Sequence, residues 1–141
     1  MSASASCIFC KIVRGEAPAH RVCEDAHTIV FMDIFPVTDG HALVVTKEHF
    51  ENVYEVDAEV LAAVARSSHR VAAAIRAELA PDGLMVFQLN GQAAGQTVFH
   101  YHMHLMPRGR GEALALHTRV PGKPERLAET AARLARRVRN G

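Results

Sequence analysis

The run Val98-Phe99-His100-Tyr101-His102-Met103-His104-Leu105-Met106 places a histidine at every second position, with bulky apolar residues between. In an extended strand a period of two sends all three imidazoles to one face and Tyr101, Met103 and Leu105 to the other, into a core. A helix would scatter the same histidines around its circumference. Neighbouring imidazoles on a strand face would stand roughly 6.5–7 Å apart, about the span of a phosphoryl group with its attacking and leaving atoms. The plain alternative is a solvated polar face, and three imidazoles in register make a costly one.

The remainder of the chain must supply a core behind that strand. At 141 residues it fits one domain, 49% hydrophobic and 22% charged, the balance of an ordinary globular protein. The net charge of +1 argues against a dedicated nucleic-acid binder. Met1–Ser6 is small and polar and has no basic, then apolar, leader pattern, so no signal peptide is expected. No apolar stretch is long enough to span a bilayer. Three cysteines, two of them in Cys7-x-x-Cys10, suit a reducing cytoplasm better than a disulfide scaffold.

The patterning predicts a short helical turn within residues 7–19, then strands at Arg21–Glu24, Thr28–Asp33 and His41–Thr46. Asp57 reads as the N-cap of a long helix over 58–80, with Val60, Leu61, Val64, Val71, Ile75 and Leu79 on its buried stripe and Pro81-Asp82-Gly83 as its stop. Leu84–Leu89 is the fourth strand, a polar glycine-containing loop covers 90–97, and the histidine strand is fifth. Beyond Pro107, glycines and prolines mark flexible connections before a basic amphipathic helix at 124–139, its stripe formed by Leu127, Ala131, Leu134 and Val138. These elements predict an α+β domain over 1–141, with its core at 7–108 and a C-terminal basic extension at 109–141.

His100-Tyr101-His102-Met103-His104-Leu105-Met106 fits the His-φ-His-φ-His-φ-φ signature, and the chain from Cys7 to Pro107 resembles the histidine triad (HIT) superfamily, in its bacterial Hint-like branch. Asp33-Ile34-Phe35-Pro36, Gly40-His41, Asn90 and Gly95-Gln96-Thr97 extend the match in order. The resemblance implies a five-stranded antiparallel sheet with one long helix and a C-terminal helix. It also implies a nucleotide-binding hydrolase that cleaves the α-phosphate bond of a purine nucleotide conjugate, a phosphoramidate or a dinucleoside polyphosphate, through a nucleotidyl-histidine intermediate. A neutral imidazole suits that task, because its pKa lies near 7 and it needs no separate base.

By the same resemblance His102 is the nucleophile, His104 contacts the α-phosphate and assists departure, and His41 supports the site from a neighbouring strand. Asp33 would accept the ribose hydroxyls, Ile34 and Phe9 would wall the base, and Asn90, Gly95, Gln96 and Thr97 would meet the phosphate and leaving group. The family more often carries Ser where Thr97 stands, which bears on the leaving group. Alternatively Asp33 is a plain turn former and His41 a hydrogen-bonded core residue.

Cys7 and Cys10 can supply half of a tetrahedral Zn²⁺ site, with distant histidines closing it. Relatives with such a site point to His49 and His100 as the other ligands, a closed and hence structural set. Otherwise the thiols are small buried hydrophobes and His49 is a surface residue. Cys23 reads as core, and His20, His27, His69 and His117 as surface or packing residues. A homodimer is expected, formed through the long helix and the fourth strand. Two rival readings are a catalytic metal on His100, His102 and His104, and a non-catalytic nucleotide-binding or adaptor module. The first is geometrically awkward, because the outer histidines would lie roughly 13 Å apart along a strand.

Overall fold

The computed structural model describes residues 5–140, so both ends of the expected domain, residues 1–4 and 141, lie outside the described residues. The elements run α1 (Ile8–Val13), β1 (Arg21–Glu24), β2 (Thr28–Met32), β3 (Ala42–Thr46), α2 (Ala58–Leu79), β4 (Gly83–Phe87), β5 (His102–Arg108) and α3 (Pro124–Asn140), with one 3₁₀ turn at Gln92–Ala94. The strands form one antiparallel sheet in the order β1-β2-β3-β5-β4, which puts the histidine strand between two partners.

Both faces of the sheet are covered, so β2 and β3 are buried at every position and read as continuous apolar runs. The pleat still sorts their side chains. Val30, Met32, Ala42, Val44 and Leu105 join a cluster with Val64, Val71 and Ile75 of α2 and Leu127 and Leu134 of α3. Ile29, Phe31, Leu43 and Val45 turn the other way, against Phe9 and Ile12 of α1. Leu43 stands opposite His104 and Val45 opposite His102, so the triad shares the α1 face. The long helices form the back wall, and full burial of residues such as Ile75, Leu105 and Leu134 stabilises it by about 1.5–3 kcal/mol each.

Several boundaries differ from the sequence reading. β5 begins at His102 and ends at Arg108, later than the expected 98–106. Tyr101 N–H instead donates to Phe50 O at 2.7 Å, so His100 sits in the turn entering the strand. β4 stops at Phe87, two residues early. Asp57 holds the N-cap position of α2, but its side chain makes no capping hydrogen bond. α2 ends at Leu79, one residue early, and its C-cap Ala80 adopts the left-handed conformation just before Pro81. The basic face of α3 is not wholly solvated: Arg133 donates to Glu78 O at 2.6 Å and Arg137 to Glu78 Oε2 at 2.8 Å, both on α2. Among the described residues no helix is long and apolar enough to cross a membrane.

Candidate active site and metal centre

β5 delivers His102 and His104 side by side, and each is buried. Their ring centres are 4.9 Å apart, closer than ideal strand spacing allows, because the side chains lean toward each other. Phe87 of β4 stacks on His104 at 4.4 Å, nearly parallel, while Phe9 of α1 meets His102 edge-on at 5.0 Å. Phe9 is therefore a wall of the site as well as a core residue.

The partners of these rings fix their tautomers. His102 Nδ1 lies 2.6 Å from His100 O, and a carbonyl can only accept, so Nδ1 carries the proton and Nε2 keeps a lone pair. His104 is set the opposite way. Val37 N–H donates to His41 Nδ1 at 3.1 Å, which leaves the proton of neutral His41 on Nε2. That proton is donated to His104 Nδ1 at 3.0 Å, so His104 bears its own proton on Nε2. Burial pushes all three imidazoles toward the neutral form: His41 falls to about 4, and His102 and His104 also shift down. His41 is thus uncharged at neutral pH, and its 3.6 Å approach to Asp33 Oδ2 is not an ion pair. One strand presents a bare ring nitrogen beside a protonated one.

Asp33 Oδ1 accepts from Phe35 N–H at 2.9 Å, so Asp33 does shape its turn. Burial raises its carboxyl pKa, partly offset by that bond. Ile34, in the same loop, is 52% exposed and offers an apolar surface. Gly40 holds His41 in place: its φ is +87°, and a Cβ there would meet Leu79 Cδ1 and Pro107 Cγ.

In the loop before the triad, Thr97 is exposed and Gly95 half-buried. Gln96 is placed differently from the reading that has it touching phosphate. Its carboxamide accepts from Gly91 N–H at 2.6 Å and donates to Glu51 O at 2.7 Å and Val98 O at 3.2 Å, so the side chain holds the loop closed. Asn90 is largely engaged too, with Oδ1 accepting from Val53 N–H and Nδ2 donating to Gln88, which leaves one amide hydrogen. His117, expected as a surface or packing residue, is exposed and stands with its ring centre 6.4 Å from that of His104.

The third triad histidine serves a second constellation. His100 Nε2 donates to Thr46 O at 2.7 Å, which points the lone pair of Nδ1 at the cysteines. That atom lies 3.4 Å from Cys7 Sγ, 3.5 Å from Cys10 Sγ and 3.1 Å from His49 Nδ1, and His49 Nδ1 lies 3.2 Å from Cys10 Sγ. Zinc bonds of about 2.3 Å to sulfur and 2.0–2.1 Å to nitrogen require tetrahedral edges of roughly 3.3–3.6 Å for such N–N and S–N pairs. These four edges fit that polyhedron within a few tenths of an ångström, and all four donor atoms lie within 4.8 Å of one another. Cys7 caps α1, and Cys10 follows three positions later on the first turn, which brings both sulfurs to one side. Among the described residues no candidate metal cluster contains two triad histidines, which disfavours a single metal held by the triad.

The model of the HIT domain matches residues 14–111. The chain is 42% identical over 142 residues to the protein named hit from Bacillus subtilis strain 168, covering 98% of both. It is 35% identical to the adenylylsulfatase HINT3 of Arabidopsis thaliana over 108 residues, which is 77% of this chain and 55% of that protein. Among solved structures, a zinc-bound histidine triad family protein from Mycobacterium smegmatis superposes with a TM-score of 0.85 at 37% identity, covering 98% and 96% of the two chains. With the triad, its supporting histidine and the Cys/His cluster assembled on this sheet, the chain belongs to the HIT domain family, whose members include nucleotide-binding hydrolases.

Proposed function

We propose that this protein cleaves the α-phosphate bond of a purine nucleotide conjugate, a phosphoramidate or a dinucleoside polyphosphate, with His102 as nucleophile. The observation that carries the reading is the pair of opposite tautomers on β5. The lone pair on His102 Nε2 attacks phosphorus, the N–P bond forms, and the bond to the leaving group breaks with its electron pair on the departing atom. His104, held by His41, offers Nε2–H to the phosphoryl oxygens or the departing atom. Water then attacks the phosphorus, the N–P bond breaks, and nucleoside monophosphate leaves. Asp33 is the ribose acceptor, Phe9 and Ile34 border the base, and Thr97, the Gly95 backbone and the remaining Asn90 amide hydrogen meet the phosphate.

Zinc, held by Cys7, Cys10, His49 and His100, would be structural, because four protein ligands close its coordination sphere. Bound there it would tie α1 to the turn that enters β5, and so fix the His100 carbonyl that sets the tautomer of His102. Two copies of the chain would pair through α2 and β4.

The alternative, a nucleotide-binding module without turnover, is separated by one variant. His102→Asn should lower kcat at least 100-fold, the loss expected on deleting a catalytic group. Nucleotide affinity and zinc content should stay nearly unchanged, since the ground-state contacts come from other residues. Radiolabelled nucleotide should be trapped on the wild type and not on the variant. A variant that kept more than about a hundredth of wild-type kcat would remove His102 from the chemistry.

A further inference from the structure

The segment between β5 and α3, residues 109–123, does not run out into solvent but returns across the site. Near its end Gly122 N–H donates to Ile34 O at 2.8 Å, in the loop that carries Asp33. Near its middle His117 Nε2 donates to Gly95 O at 2.7 Å, in the loop that leads to Thr97. Two loops that flank the triad are thereby bridged by one arm. His117 is solvent-exposed, unlike His41, His102 and His104, and its ring meets that of His104 nearly edge-on, at 73°. With Nε2 held by a carbonyl, Nδ1 is the ring atom left for a ligand.

The charge of the arm narrows the ligand. From Arg108 to Lys123 the chain carries Arg108, Arg110, Arg119 and Lys123 against the single acid Glu112. Arg108 is spent on Glu112 at 3.7 Å and on Ala113 O, and the other three cations give the arm an excess of positive charge. The ring of His117 is close enough to add to burial, the larger cause, in lowering the pKa of His41 and His104.

We infer that His117 is a fourth substrate-contacting histidine, one that binds an anionic leaving group and so sets preference among α-phosphate conjugates. This rests on the reaction proposed above. When the P–O bond to a departing phosphate breaks, the electron pair stays on the leaving oxygen. In this contact the charged ring of His117 donates Nδ1–H to an oxygen of that group without transferring its proton. A neutral amine leaving group gains nothing from this contact.

The experiment compares a dinucleoside tetraphosphate, whose leaving group is a nucleotide anion, with an adenosine phosphoramidate, whose leaving group is ammonia. His117→Gln keeps a donor for Gly95 O but cannot carry charge. It should lower kcat/KM for the tetraphosphate about tenfold, the scale of one hydrogen bond to a charged group. The phosphoramidate should lose at least fivefold less, and His117→Lys should recover most of the tetraphosphate loss. Equal losses on both substrates would mean that His117 only supports the loop, and no loss would mean that it touches nothing; either result overturns the inference. A wild type that cleaves the phosphoramidate alone overturns it while the reaction stands, and a wild type that cleaves neither overturns both.

Discussion

His41 shows how one buried ring can couple stability to the chemistry of its neighbour. Its ordinary pKa near 6.5 falls to about 4 in the folded chain, chiefly because burial penalises the charged form. Between those values the unfolded chain binds the proton and the folded one does not. The stabilisation is therefore complete above about pH 6.5 and is lost as pH falls toward 4, on the order of 3 kcal/mol across the window. Urea unfolding of wild type and His41→Asn at matched pH and zinc content should show a shallower slope for the variant, by up to about 1.4 kcal/mol per pH unit. Equal slopes would mean that His41 is not the group. The residues around this ring are legible in the sequence, His102 and His104 from their spacing and His41 and Asp33 from the family resemblance. Their tautomers are not, since these depend on Val37 N–H and His100 O, backbone groups that a sequence pattern does not show. The partners of Gln96 and His117 are not legible for a related reason: a loop carries no periodicity to say which way an amide or an imidazole turns.

At the scale of elements, strands and helices with strong apolar patterns were legible, and their ends were less so. β5 starts late because the two residues just before His102 answer to other partners: Tyr101 to the Phe50 carbonyl and His100 to Thr46 and the cysteines. The alternation was real, yet a metal-shaped cluster took its first histidine out of the ladder. α1 has only six residues and is too short to persist on propensity alone. Its anchors are Phe9 and Ile12 in the core and the Cys7/Cys10 pair against His49 and His100. Zinc in that cluster would make the helix and the turn into β5 a single cross-linked unit. Replacing Cys7 and Cys10 together by Ser should remove zinc as read by elemental analysis. It should also lower the melting temperature by roughly 10 °C, a few kcal/mol for a chain of this size. Zinc content of about one per chain in the double variant, or none in freshly purified wild type kept from chelators, would refute the assignment. His100→Ala should behave alike, with activity falling because the carbonyl behind His102 loses its anchor.

At the scale of the whole molecule, one edge of the sheet is too apolar to be left bare. β4 is the outermost strand on the triad side, its sequence is Gly-Leu-Met-Val-Phe, and none of these five residues is buried; Val86 is 52% exposed. β1, at the opposite edge, is short and ends in charge, with Glu24 paired to Lys47 at 2.7 Å, a common way to discourage strand addition. Alongside β4 lies a groove lined by His69, Ala72, Ala73, Arg76 and Ala77 of α2, in which the three alanines leave room for a close helix approach. The sheet therefore has one protected edge and one open edge continued by a helix face with three alanines, and pairing with a second copy of the chain would cover the open edge and that face. The expected species is a dimer of about twice 15.4 kDa, measured by light scattering at micromolar concentration. Val86→Lys should shift it to monomer, because a lysine facing its own two-fold copy across the pair adds like charge at the contact. The fold of each chain should survive, since Val86 contributes little to either core. Wild type that scatters as a monomer at that concentration would end this reading, as would a Val86→Lys protein that remains dimeric.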